Sequence, residues 1–393
     1  MKIISINCGS SSLKFSLFEM QNKEVLASGL FERIGIEGSC YTIKYNGNKL
    51  KEEVLMENHT DAVGILLEKL ISLEIIHSLE EIDGIGHRVV HGGTKYKEAV
   101  LIDDKVIEYV DEMKEFAPLH NPAGLLGINA FKEVLPKVPM VAVFDTAFHQ
   151  TMDEVSYLYA VPYEWYEKHG VRKYGFHGTS HRYITKKISE ELGRDDLKII
   201  SCHLGNGGSI TAIKDGKCID TSMGFTPLAG IVMGTRSGDI DPSIIPYIME
   251  KEGLNASEVV DALNKKSGYL GLSGKYTDSR DIEDGYKAGD KRCILTEEKF
   301  IKSVVGYIAN YYVLLGGADV ICFAGGIGEN SPEARMMIAE KLACLGIKLD
   351  VEKNNVRGKF QKISTEDSKT ALYIVPTDEE LMIAMDTVAL INR

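Results

Sequence analysis

The sequence has little of what exported, membrane-spanning and nucleic-acid-binding chains rely on. Its seven cysteines are scattered, with no CxxC pair and no disulfide-like spacing, a usage that fits a reducing cytoplasm. Positive charge is in deficit: 45 Lys and Arg against 57 Asp and Glu leave a net charge of −12. That balance argues against general binding to nucleic acid or to an anionic membrane, so neither is expected as a partner. Long apolar runs are missing too. The most hydrophobic region, Val304 to Gly328, is interrupted by Asn310 and Asp319, and a bilayer span needs about 20 apolar residues in succession. The opening Met1-Lys2-Ile3-Ile4-Ser5-Ile6-Asn7 has no charged n-region, no long apolar stretch and no small-residue cleavage site, so no export signal is expected. Proline is sparse, with 10 in the chain, and no Pro-rich or low-complexity linker marks a boundary. What is present is ordinary globular material: 44% hydrophobic and 26% charged over 393 residues. That is enough for one large core or two full ones, at roughly 150 residues per domain.

Organisation comes from a weak internal repeat. Lys2-Ile3-Ile4-Ser5-Ile6-Asn7-Cys8-Gly9 aligns with Lys198-Ile199-Ile200-Ser201-Cys202-His203-Leu204-Gly205, five of eight positions being identical. Both copies run on through small residues, Ser10-Ser11-Ser12 and Asn206-Gly207-Gly208, into alternating stretches, Phe15 to Phe18 and Ile210 to Ile213. Each therefore reads as strand, tight turn, strand. The offset of 196, nearly half the chain, points to two duplicated α/β halves with a division near residue 150. Helical spacing covers Asp61 to Leu73 and Glu298 to Leu315, and Asn121-Pro122 announces another helix over Gly124 to Leu135. Val138 to Phe144 reads as a buried strand ending at Asp145.

Three small-residue turns are candidates for holding phosphate. They are Asn7 to Lys14, His203 to Ser209, and Phe323 to Asn330, the last followed by the helix-start signal Ser331-Pro332. Small side chains let backbone N–H groups approach an anion, and Lys14 adds charge. A helix N-terminus past the third turn offers free N–H groups to a nucleotide. Each turn reads equally as a plain hairpin. None matches GxxxxGK[ST], and Gly326-Ile327-Gly328 is too short for a dinucleotide fingerprint.

The charged segments are equally suggestive. His87-Arg88-Val89-Val90-His91-Gly92-Gly93 favours a strand. On one, residues four apart lie about 13 Å from each other, too far to share a zinc ion. Arg88 reads either as a carboxylate clamp or as a surface ion pair, with Val90 expected two positions on along the same strand face. Asp145 follows a strand, where open α/β sheets place functional groups. His177, in Tyr174-Gly175-Phe176-His177-Gly178-Thr179-Ser180-His181, reads as functional or as a core histidine, with Ser180 as a helix cap. The loop from Asp220 to Asp239 is rich in Gly, Thr and charge, and long for a mere connection.

Taken together and in order, these motifs resemble the acetate kinase family. The carriers are Asn7 to Ser12, His87 to Gly93, Phe176 to His181, Asp220 to Asp239, Gly326-Ile327-Gly328-Glu329-Asn330 and Pro376-Thr377-Asp378-Glu379-Glu380, spread over the whole chain. The resemblance implies a duplicated actin-like, ribonuclease H-like α/β ATPase fold, with two domains around a central nucleotide cleft. The domains implied are residues 1–148 and 149–380, the C-terminal helix at about 381–393 packing back on the first and the second carrying most nucleotide contacts. It also implies a cytoplasmic homodimer. By position, Asn7 and Glu379 would hold Mg²⁺ (Mn²⁺ can substitute), and Lys14 would face the phosphates. Arg88 would bind the substrate carboxylate, with Val90, Leu119, Phe176 and Pro227 around its alkyl end. Asp145, His177 and Arg236 join Arg88 as the catalytic set. His203, Leu204, Gly205, Asn206 and Gly207, then Asp278, Ser279 and Arg280, then Gly326, Ile327, Gly328, Glu329 and Asn330 would contact ATP or ADP. One departure is local: Gly274-Lys275-Tyr276-Thr277-Asp278 stands where the family has a smaller, Ser-rich approach.

The implied reaction is reversible, Mg²⁺-dependent transfer of the γ-phosphoryl group of ATP to acetate, giving acetyl phosphate and ADP. A carboxylate is already ionised near pH 7, so the need is for charge neutralisation more than for a base. Asp145 is then an orienting group first and a proton carrier second, and transfer is direct and in line rather than through a carboxyl phosphate on Asp145 or Glu379. Propionate or another short-chain carboxylate is the alternative acceptor. A sugar kinase would need a true base for a hydroxyl. A chaperone-type ATPase would need a further domain, yet the chain ends 14 residues after Glu379.

Overall fold

The computed structural model describes every residue except Leu119 and Arg393. The chain forms two compact units, Met1–Phe148 with Asp378–Arg393, and His149–Thr377.

The first unit holds eight strands: β1 Lys2–Gly9, β2 Ser12–Glu19, β3 Glu24–Glu32, β4 Cys40–Tyr45, β5 Asn48–Glu53, β6 Ile82–Val89, β7 Val100–Leu101 and β8 Met140–Phe144. They form one sheet in the order β5-β4-β3-β2-β1-β6-β8-β7. β1 runs antiparallel to β2 and parallel to β6, and β6 runs parallel to β8. The alternation in Ile3-Ile4-Ser5-Ile6 explains how one strand supports two layers. Ile4 and Ile6 pack with Leu66, Ala130 and Phe131, from helices His59–Ser72 and Asn121–Val134. Ile3 points the other way, to Phe18 and Ala384 of helix Glu379–Ile391. β8, parallel to β6 on one side and antiparallel to β7 on the other, is buried along its whole length.

The second unit repeats the plan. Its strands are β9 Lys198–His203, β10 Ser209–Lys214, β11 Lys217–Thr221, β12 Val320–Ala324, β13 Gln361–Lys362 and β14 Ala371–Ile374, ordered β11-β10-β9-β12-β14-β13. β9 is antiparallel to β10 and parallel to β12, and β12 is parallel to β14. The sub-order β11-β10-β9-β12-β14 thus matches β3-β2-β1-β6-β8 strand for strand and direction for direction. This is the duplication that the 196-residue offset announced. Helix Gly178–Leu192, which precedes β9, packs on β9 of the second unit, and the helix after β14, Glu379–Ile391, packs on β1, β6 and β8 of the first. Glu379 and Glu380 open that last helix and so belong to the first unit.

Four local readings change. The long helix begins at Lys291, capped by Asp290, whose carboxylate accepts from the N–H groups of Arg292 and Cys293 at 2.9 and 3.1 Å. Its polar first turns hid that start. Ser180 is not a cap: the helix begins at Gly178 after His177, and Ser180 lies within its first turn. The third glycine turn is itself a helix, Gly325–Asn330. β6 stops at Val89, so Val90 lies beyond the strand and does not share a pleat face with Arg88. Among the described residues, no helix is long and apolar enough to cross a membrane.

Candidate active site

In the first unit, functional side chains gather at the C-terminal ends of β1, β6 and β8. Asn7 and Lys14 face each other across the β1–β2 hairpin, whose turn is only Ser10-Ser11. Arg88 is the last residue but one of β6, and Asp145 follows β8, its N–H donating to the Val89 carbonyl at 3.0 Å. The Arg88 guanidinium donates to Asp145 through Nη2 at 2.5 Å and Nε at 3.1 and 3.2 Å, and through Nη1 to the Asn7 Oδ1 at 3.3 Å. The Asp145 side chain is 1% exposed and that of Arg88 24%. Burial works against the Arg88 charge, but Asp145, Glu379 and Glu380 outweigh it and move its pKa up. Glu379 shows the converse. Burial, with Asp145 and Glu380 nearby, pushes its carboxyl up to about 7 against the pull of Arg88 and Lys14. Lys14 pairs with Glu380. The cluster therefore crowds three carboxylates against two cations.

The second unit carries a cavity of about 600 Å³. Its wall is built by two turns docked on each other. The Leu204 carbonyl accepts from the N–H groups of Ile327 and Gly328 at 2.8 and 3.2 Å, while the Leu204 N–H donates to the Ala324 carbonyl at 2.8 Å. Gly325 has φ +75° and a Cβ there would sit 2.7 Å from the Leu204 oxygen, so only glycine lets the turns close. Gly205, Asn206, Gly207, Asp278, Ser279, Arg280, Gly326, Ile327 and Asn330 line the cavity together with His177 and His203. Leu204 and Gly328 support it through backbone bonds, and Glu329 accepts from the N–H groups of Gly325 and Thr377 at 2.8 and 3.1 Å. Arg280 is exposed and reaches Asp278 at 2.6 Å, which draws that carboxyl down to about 2.

His177 and Arg236 converge on Gly207. A Cβ there would lie 3.5 Å from His177 Nε2 and 3.4 Å from Arg236 Nη1, so both groups face the same small residue. His177 stacks on His203 with ring centroids 4.4 Å apart, and His203 Nδ1 lies 2.8 Å from the Ser180 Oγ. Arg236 Nη1 also donates to the Pro227 carbonyl at 3.3 Å, and burial lowers its pKa. Phe176 is buried, its carbonyl 2.8 Å from His149 Nε2. Val90 belongs to the first unit, Phe176 and Pro227 to the second, and Leu119 lies outside the described residues. Sequence reasoning missed Glu283, Ser331 and Arg357 in the cavity wall. Nothing near Arg357 in sequence signals it; a bond from the Gly358 N–H to the Glu329 carbonyl at 3.0 Å brings it there.

A model of the acetokinase family matches residues 2–385. The chain belongs to the acetokinase family. Within that family it is similar to the acetate kinase of Bacillus subtilis (strain 168), 57% identical over 391 residues and 99% of each chain. The crystal structure of Porphyromonas gingivalis acetate kinase superposes with a TM-score of 0.95 at 46% identity, covering 99% of both chains. That of a propionate kinase from Francisella tularensis does so at 0.94 and 42%, again over 99% of both. The acetokinase fold, two actin-like halves with mixed sheets, is the one described above.

Proposed function

We propose that this chain catalyses reversible transfer of the γ-phosphoryl group of ATP to acetate, giving acetyl phosphate and ADP. The acetate oxygen forms a bond to the γ-phosphorus, the bond to the β–γ bridging oxygen breaks, and its electron pair leaves with ADP. The observation that carries this choice of acceptor is the engagement of Asp145. Both its oxygens accept from Arg88, so it is occupied as an orienting group and poorly placed to strip a proton from a hydroxyl. An ionised carboxylate needs no such base. It needs a cation with further donors, and the Arg88 N–H groups that Asp145 and Asn7 leave over would supply them.

The remaining roles follow from charge. Arg236 and His177 meet the transferred phosphoryl group at Gly207, and Lys14 offsets phosphate charge from the first unit. His203 to Gly207, Asp278 to Arg280 and Gly326 to Asn330 hold the nucleotide, and the resemblance to the family assigns the acyl methyl to Val90, Leu119, Phe176 and Pro227. Asn7 and Glu379 would hold Mg²⁺, with Mn²⁺ as a substitute. The donor set fits: hard oxygen ligands, one of them a carboxylate whose proton affinity is raised by burial and by Asp145 and Glu380, suit a cation that binds through one or two carboxylates plus phosphates. When bound, the ion would neutralise phosphate charge. The two compact units serve as the two duplicated domains. The reading extends to a homodimer, checked by the molar mass from light scattering in solution, and to the cytoplasm, which the seven free thiols favour. A coupled assay offering Mg·ATP with acetate, with glucose or with no acceptor tests the central claim. ADP release that depends on acetate supports it; release with glucose, or without any acceptor, refutes it.

A further inference from the structure

A buried line of hydrogen bonds inside the second unit ends on His177. Ser201 Oγ lies 2.8 Å from His181 Nδ1, His181 Nε2 lies 2.7 Å from Ser209 Oγ, and Ser209 Oγ lies 3.0 Å from His177 Nδ1. Ser201, His181 and Ser209 have no exposed surface. Three elements supply the line: β9, helix Gly178–Leu192 and β10, with Ser209 opposite His203 at the mouth of the β9–β10 turn. His177 itself sits at φ 57°, a left-handed backbone that is strained for a non-glycine residue. That conformation turns its Nδ1 towards Ser209 and its Nε2 towards Gly207 and Arg236.

We propose that His181, acting through Ser209, is a positioning residue that keeps His177 in the tautomer protonated on Nε2, so that the ring donates to the transferred phosphoryl group. The proposal rests on the phosphoryl-transfer reading above. Its logic is a count of protons. Each serine hydroxyl has one, and each neutral imidazole has one N–H. A continuous line can therefore point only one of two ways; the third arrangement, both imidazoles donating to Ser209, leaves its buried hydroxyl proton without an acceptor in the line. Pointing outward, Ser201 donates to His181 Nδ1, His181 Nε2–H donates to Ser209, Ser209 donates to His177 Nδ1, and His177 keeps Nε2–H for the anion. Pointing inward, His177 spends its proton on Ser209 and turns a bare nitrogen lone pair towards a phosphate oxygen, which repels it. Burial, with His149 and His203 nearby, holds the His181 pKa well down, so it stays neutral and carries the single proton the count requires. Bonds aligned in one direction also polarise one another, which strengthens the final donor.

The tautomer is measured by ¹⁵N NMR of histidine-labelled protein with ADP and inorganic phosphate, the His177 signal being assigned by its loss in His177→Gln. The expected wild-type spectrum shows a protonated Nε2 and a bare Nδ1. Ser209→Ala should mix the tautomers and lower kcat about 10- to 100-fold, less than the loss of a primary donor, with both KM values within about twofold. Ser209→Thr, which keeps the hydroxyl, and His181→Gln, which keeps an N–H near the Nε2 position, should restore most of the turnover, and His181→Phe should not. The proposal is overturned if wild-type His177 carries its proton on Nδ1, if Ser209→Ala turns over normally, or if Ala and Thr at 209 unfold alike. An Nε2–H spectrum in a protein that fails to phosphorylate acetate would refute the reaction and leave the relay standing.

Discussion

Removal of the Arg88 side chain should damage catalysis and stability through one and the same set of contacts. In Arg88→Ala, Asp145 loses donors at 2.5, 3.1 and 3.2 Å and is left as a carboxylate with 1% of its side chain exposed. Glu379 remains a neighbour of like charge and repels it. Removing one partner of a buried ion pair costs about 3–5 kcal/mol. With 24% of the Arg88 side chain exposed, water enters the gap, and the lower end, about 3 kcal/mol, applies. For a unit of this size that lowers the melting midpoint by roughly 6 °C or more. The catalytic loss is larger, because the acetate carboxylate loses its fork and the transition state a positive charge. We expect kcat/KM for acetate to fall about 10³-fold or more, equivalent to about 4 kcal/mol. Arg88→Lys should regain stability better than activity, since an ammonium neutralises Asp145 but cannot match a carboxylate with two donors. The assays are calorimetric melting and a coupled ADP-release assay over a range of acetate concentrations. Wild-type kcat/KM in Arg88→Ala refutes the assignment of Arg88 to the acceptor, and an unshifted melting midpoint refutes the burial argument for Asp145.

Three further outcomes are expected. Val90→Ala removes two methyl groups beside the acceptor and should raise kcat/KM for propionate relative to acetate, one methylene being worth about 1–3 kcal/mol; an unchanged ratio removes Val90 from the pocket. Glu379→Ala should raise the Mg²⁺ concentration needed for half-maximal rate more than it alters the acetate KM, and an unaltered metal titration assigns Glu379 to the helix N-terminus alone. Glu297, in helix Lys291–Leu314, is held up to about 7 from the ordinary 4.5 by burial and by Glu283. The folded protein therefore keeps a proton there that the unfolded chain releases, and stability falls as pH rises from about 4.5 through 7. Glu297→Gln should then stabilise by about 3 kcal/mol at pH 8 and by under about 1 kcal/mol at pH 5, read from thermal melts at the two pH values; an equal gain at both refutes the raised pKa.

The amino-acid sequence by itself determined the elements whose signals are local. Alternation in Lys2 to Gly9 and Lys198 to His203 specified two like strands, small residues after each specified the reversals, and Ser331-Pro332 specified a helix start that the structure forms with the Ser331 hydroxyl accepting from Ala334 N–H at 3.1 Å. Such signals depend on backbone sterics within a few residues, so they can be read without a fold. The acidic, buried surroundings of Arg88 depend instead on Asp145, 57 positions away, and on a helix that returns from the chain's last turn. The same holds for the bonding of Ser180 to Thr377 across 197 positions and for Arg335, wholly buried and bonded to the carbonyls of Gly328, Asn354 and Val356. No local pattern marks a buried arginine or a serine that relays a hydrogen bond, because what decides their role is which backbone and side-chain acceptors distant strands bring within 3 Å. Periodicity sets which faces are buried; only the parallel crossovers, which place the ends of β1, β6 and β8 side by side and do the same for β9, β12 and β14, determine which charges must neutralise one another.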